Sequence, residues 1–116
     1  MRNRIALMAL CVIAAPVAAL AHAHLVKAAP AAGEICKTSP AEIDLDFTEA
    51  LEPAFSSITV TGEKGEAVNA ALSVASGTFN HIVLKKLAPG KYHVHWVSVA
   101  IDTHRTSGDY DFSVAP

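Results

Sequence analysis

Two short strings in this chain carry the residue types that bind metal ions: His22-Ala23-His24-Leu25-Val26 and Asp102-Thr103-His104. The first depends for its chemistry on what precedes it. Arg2 and Arg4 lead into an uncharged run, 5–21 (IALMALCVIAAPVAALA), with small Ala19 and Ala21 where a signal peptidase reads. A basic start, a short apolar stretch and a small-residue end form the pattern of a secretory signal peptide. A permanent anchor is the alternative, but Pro16 and the crowd of alanines favour cleavage. A cut after Ala21 would make His22 the first residue of a mature chain 22–116. An N-terminal histidine offers its amine and its ring Nδ1 as a chelate, and an α-amine with a pKa of about 8 yields its proton readily to a metal near neutral pH. A cut after Ala23 would transfer that role to His24.

In Asp102-Thr103-His104 a carboxylate and an imidazole stand two residues apart. If the segment is extended, both project to one side. Together the strings supply three nitrogens and one oxygen, a set that suits tetragonal Cu(II), the divalent ion highest in the affinity order. Each string also has an ordinary reading: a histidine beside a cleavage point by coincidence, and an Asp that hydrogen-bonds its own turn. Spacing by itself does not bring the two together.

The elements that must position them are read from alternation. In Ile43-Asp44-Leu45-Asp46-Phe47 and Tyr110-Asp111-Phe112-Ser113-Val114 the apolar residues share one face. Tyr92, Val94 and Trp96 alternate with His93 and His95, which therefore point away from the core. Further strands are expected near 24–28, 54–61, 66–73 and 79–86, separated by turn residues at 30–33, 61–65, 76–77 and 89–90. Seven short strands with brief connections and no helix predict one all-β domain. The expected fold is a seven-stranded antiparallel sandwich of the Ig-like or cupredoxin-like (Greek-key barrel) kind.

Composition narrows the function classes. Loss of Arg2 and Arg4 with the leader takes the formal charge from −2 to −4, and no basic run remains, so nucleic acid is not an expected partner. Met1, Met8 and Cys11 leave as well. Cys36 then stands as a single thiol without a disulfide partner, and no sulfur-rich metal site is expected.

The strings His22 to Val26, Pro30-Ala31-Ala32-Gly33, Phe47-Thr48-Glu49, Tyr92 with Trp96, and Val99 to His104 followed by Gly108 resemble the CopC family of periplasmic copper-resistance and copper-binding domains. The resemblance runs from His22 to Val114, with the blocks in the same order and spacing. It implies one Cu(II) held by the amine and ring of His22, the ring of His104 and the carboxylate of Asp102. Glu49 matches an acidic position beside that site, as a weak ligand or as a partner that orients one. It also implies periplasmic residence and a CopD-type inner-membrane copper transporter as the protein that would receive the metal. A monomer is expected, and no enzymatic activity, because Asp102 would fill the open position that a catalytic copper needs and the chain lacks long loops to build a substrate platform. Some members carry a methionine-rich Cu(I) site, and this chain has no methionine after residue 8 to build one.

The other histidines have weaker claims. His24 would stand third in the mature chain and could form an amine–amide–imidazole chelate, which needs a loose terminus. His93 and His95 share a strand face and could hold a second metal, although such a pair is ordinarily a solvated surface. His81 is expected at the surface. Two other functions stay open on the residues: a copper oxidase or monooxygenase built on a histidine brace, and a metal-free Ig-like interaction module.

Overall fold

The computed structural model describes residues 23–116; the expected leader and His22 lie outside the described residues. The strands are β1 (Leu25–Ala29), β2 (Ile35–Cys36), β3 (Glu42–Phe47), β4 (Ser57–Thr61), β5 (Val74–Ser76), β6 (Phe79–Val83), β7 (Gly90–Val99) and β8 (Arg105–Val114), with a 3₁₀ turn at Pro53–Phe55. They form two four-stranded sheets in the orders β1-β3-β6-β5 and β2-β8-β7-β4. The all-β sandwich is as the alternation predicts.

The detail differs in three places. Eight strands are present among the described residues instead of seven, and β2 pairs parallel with β8 through Ile35–Ser113 and Cys36–Val114. The expected strand over 66–73 is reduced to isolated bridges, Thr61–Ala67 and Asn69–Leu84. Asn69 donates its side-chain amide to the Ala71 carbonyl at 2.9 Å, closing a local turn of the kind Asn favours over a ladder. The segment expected as a strand from 54 begins as the 3₁₀ turn, because Pro53 lacks the N–H that a ladder requires.

The core lies between the sheets. Ile43, Leu45 and Phe47 from β3 meet Tyr92, Val94 and Trp96 from β7 and Phe112 from β8, all buried. Phe47 meets Trp96 edge-on with ring centroids 5.1 Å apart, and Tyr92 stacks on Phe112 at 5.6 Å. Burying such rings is the main favourable term in a domain of this size. Phe47 is also the last residue of β3, so the contact that anchors it sets where Thr48 and Glu49 begin.

Gly108 lies opposite Trp96 in the β7–β8 ladder. A Cβ there would stand 2.5 Å from Trp96 Cζ2, so the indole occupies the space a side chain would need. Gly108→Ala must push a ring that is already braced by Phe47. The expected cost is about 1–3 kcal/mol of stability, read from urea unfolding followed by Trp96 fluorescence; an unchanged midpoint would mean the indole can move without loss.

Candidate metal centre

The long hairpin of β7 and β8 ends in the turn that holds Asp102-Thr103-His104. The segment is a turn and not an extended strand. Ala100 N–H donates to the His104 carbonyl at 3.0 Å, and Thr103 N–H donates to the Ala100 carbonyl at 2.8 Å. Thr103 has a left-handed φ of 75°. Asp102 stabilises this geometry with its own side chain: Oδ1 accepts the His104 N–H at 3.2 Å, as aspartates do in turns. Its other oxygen, Oδ2, lies 3.0 Å from His104 Nδ1. The turn therefore brings carboxylate and imidazole together by local hydrogen bonding, where an extended strand would have done so by its pleat.

Glu49 reaches the same place from β3. Ile101 N–H donates to the Ala50 carbonyl at 3.2 Å, Leu51 bridges Ala100, and Glu52 N–H donates to the Val99 carbonyl at 2.8 Å. The segment after β3 is thus sewn to the β7–β8 turn, and Glu49, Ala50, Ala100, Ile101 and Asp102 line one hollow of about 240 Å³.

The residues that follow His22 are fastened to the same region. Ala23 is fully buried, and its carbonyl accepts a hydrogen bond from Thr106 Oγ1 at 2.7 Å. His24 N–H donates to Thr48 Oγ1 at 3.0 Å, and Thr48 N–H returns a bond to the His24 carbonyl at 2.9 Å. The start of the described chain is fastened between the residue beside Glu49 and the residue two beyond His104. The chelate considered for His24 needs a loose, deprotonated amide, whereas this amide donates to Thr48.

His93 and His95 lie outward on β7, as alternation predicts. What alternation did not predict is their engagement with β8. His93 Nδ1 is 2.6 Å from Asp111 Oδ1, and its Nε2 is 2.8 Å from Asp109 Oδ1, which also lies 2.9 Å from His95 Nδ1. The signal was the outward alternation of Asp109 and Asp111, legible only once their register opposite His95 and His93 is known. Asp111 and then Asp109 raise the His93 pKa above 6.5, while His93 and His95 hold Asp109 below 3.8 and His93 does the same to Asp111. Among the described residues, no three His, Cys, Asp or Glu side chains surround a common metal position.

The raised histidine stabilises the fold below pH 6.5 and loses that contribution as pH rises through its folded value. The lowered carboxylates stabilise above 3.8 and lose theirs as pH falls through their folded values. The cluster therefore helps most in mildly acidic solution. His93→Gln should lower Tm more at about pH 5.5 than at about pH 8.5, with the difference shrinking in salt because the groups are exposed. Equal deficits at both values would show that the ion pairs contribute nothing.

His81 is a correction: it is only partly exposed, its Nδ1 is shielded without a hydrogen-bond partner, and its ring centroid lies 5.7 Å from that of Phe79. Cys36 is partly buried, with Sγ 3.4 Å from Glu34 Oε2. Burial and then that carboxylate push its thiol pKa up, away from the thiolate a metal would need.

Comparison with known proteins shows the family and the fold. The CopC domain model matches residues 25–115, from β1 to just beyond β8. The chain belongs to the CopC domain family. Protein YobA of Escherichia coli K12 is 37% identical to it over 98 residues, covering 81% of this chain and 79% of YobA. The crystal structure of CopC from Methylosinus trichosporium OB3b superposes with a TM-score of 0.76 at 31% identity, covering 82% of this chain and 95% of that one. PcoC, a methionine-rich copper resistance protein from Escherichia coli, gives 0.70 at 33% identity over 81% and 99%. This CopC domain departs from the last in composition: Met1 and Met8 are its two methionines, both ahead of the described residues.

Proposed function

We propose that this CopC domain is an exported, periplasmic Cu(II)-binding protein of copper resistance and homeostasis, made from the precursor by cleavage after Ala21. One Cu(II) is held by the amine and ring of His22, the ring of His104 and the carboxylate of Asp102, with Glu49 beside them. The domain works as a monomer that sequesters the ion or hands it to a CopD-type inner-membrane transporter. The observation that carries this reading is the Asp102–His104 pair, 3.0 Å apart. The contact is a hydrogen bond, and it is close to the roughly 2.8 Å that separates two ligand atoms on one ion with bonds of about 2.0 Å at a right angle. Fastening of Ala23 to Thr106 beside that pair, at 2.7 Å, supports His22 as the third member, since its Cα is within about 3.8 Å of that of Ala23.

The donor set of two imidazoles, an amine and a carboxylate suits Cu(II), and the lack of thioether and thiolate donors disfavours Cu(I). Membership in the same family as PcoC supports copper as the metal. An oxygen-activating copper enzyme would need an open coordination position, which Asp102 would fill.

Competition titration of the chain beginning at His22 tests the reading: it should bind one equivalent of Cu(II) with a nitrogen-rich EPR spectrum. Asp102→Asn should weaken binding more than Glu49→Gln. Equal losses would make Glu49 a ligand of the same rank, and no binding by the unaltered chain would remove the proposal.

A further inference from the structure

The hydroxyls of Thr48 and Thr106 hold the two residues that follow His22. Thr106 Oγ1 donates to the Ala23 carbonyl at 2.7 Å, and Thr48 Oγ1 accepts the His24 N–H at 3.0 Å. Each comes from an element that also delivers one of the candidate ligands. Thr48 directly precedes Glu49 after β3, and Thr106 follows His104 by two residues on β8. The β1–β3 ladder starts at Leu25–Phe47, so these bonds extend the ordered backbone beyond it. Chain ends are poorly ordered unless tied down. Here the ties sit within two residues of the amine.

From this we infer that Thr48 and Thr106 are positioning residues for Cu(II) binding: they clamp the backbone behind His22 so that amine and ring are presented to the Asp102–His104 pair. The inference rests on His22 being a ligand. A clamp that preorganises the site removes an ordering cost that would otherwise be met on binding. Ala23 is fully buried, which gives the clamp a rigid footing. Neither threonine needs to contact the ion, and the effect on affinity passes through the position of the amine.

The test is a cycle on two forms of the chain, one beginning at His22 and one with a single alanine ahead of it. Thr106→Val keeps the shape and deletes the donor. In the His22 form it should weaken Cu(II) binding by about 10-fold or more and broaden the EPR spectrum, and Thr106→Ser should restore both. In the alanine-extended form Thr106→Val should weaken binding clearly less, because the His22 nitrogen is then a peptide nitrogen and only its ring is left to position. Thr48→Val is the parallel variant should Thr106→Val fold poorly; the Thr48 N–H bond to the His24 carbonyl survives in it.

Equal weakening in both forms would assign Thr106 a purely structural part and overturn the inference. So would wild-type affinity of both valine variants while the two forms differ. Should the two forms bind alike with both threonines intact, His22 is not a ligand, and the function reading and this inference fall together.

Discussion

One alanine placed ahead of His22 is expected to lower Cu(II) affinity by on the order of 100-fold or more. Loss of a partner that only orients a ligand costs about 10–100-fold in such sites, and the extension removes a ligand outright. It turns the amine into a peptide nitrogen, whose proton is far harder to displace, and it breaks the chelate that amine and ring close together. The rest of the domain should be untouched: Ala23 stays buried, and the bonds from Thr106 and Thr48 do not involve the amine. Competition with a chelator of known affinity, with EPR on the same samples, reads the change, and thermal unfolding of the metal-free forms should coincide. Unchanged binding would move the metal to the other histidines.

His104→Ala should cost at least about 100-fold by the same reasoning, and His93→Ala should leave the Cu(II) affinity near its original value. The two histidines make a fair pair for comparison. Both are exposed, and both have a ring nitrogen within 3.0 Å of an aspartate oxygen. They differ in place. His104 shares its turn with Asp102, while the strand of His93 pairs it with Thr61 and Asp111 on the open face of the sheet. Generic histidine binding would weaken alike in both variants, and that result would sink the site assignment. Retention of binding by His93→Ala with its loss in His104→Ala would leave the β7–β8 turn as the place of the metal.

Legibility along the chain followed the strength of each local signal. Strands β3, β7 and β8 were readable because alternation there runs for five residues or more with apolar and charged side chains on opposite faces. The stretch 66–73 carries small and apolar residues with weak contrast, so local hydrogen bonding by Asn69 prevails over ladder pairing. β2 is two residues long and exists through its parallel pairing with β8, a long-range fact with no local signature. His81 is expected at the surface, yet it is paired on both sides, with Asp44 and Val74, its ring lies beside that of Phe79, and one of its nitrogens is shielded.

By itself the sequence determined the chemistry on offer: a histidine just beyond a signal-peptide pattern, an Asp-Thr-His string, a Phe-Thr-Glu string, and an all-β frame from the apolar alternation. These are properties of residue type and near-neighbour spacing. Tertiary structure decided which of them meet. Glu49 and Asp102 line one hollow because the segment after β3 bonds to the β7–β8 turn, and Ala23 reaches Thr106 across 83 residues of chain. It also decided that His93 and His95 are held by Asp111 and Asp109, a consequence of ladder register. The physical reason is the same in each case. Alternation reports which side of a strand faces the core, whereas pairing partners are set by how two twisted sheets close over that core.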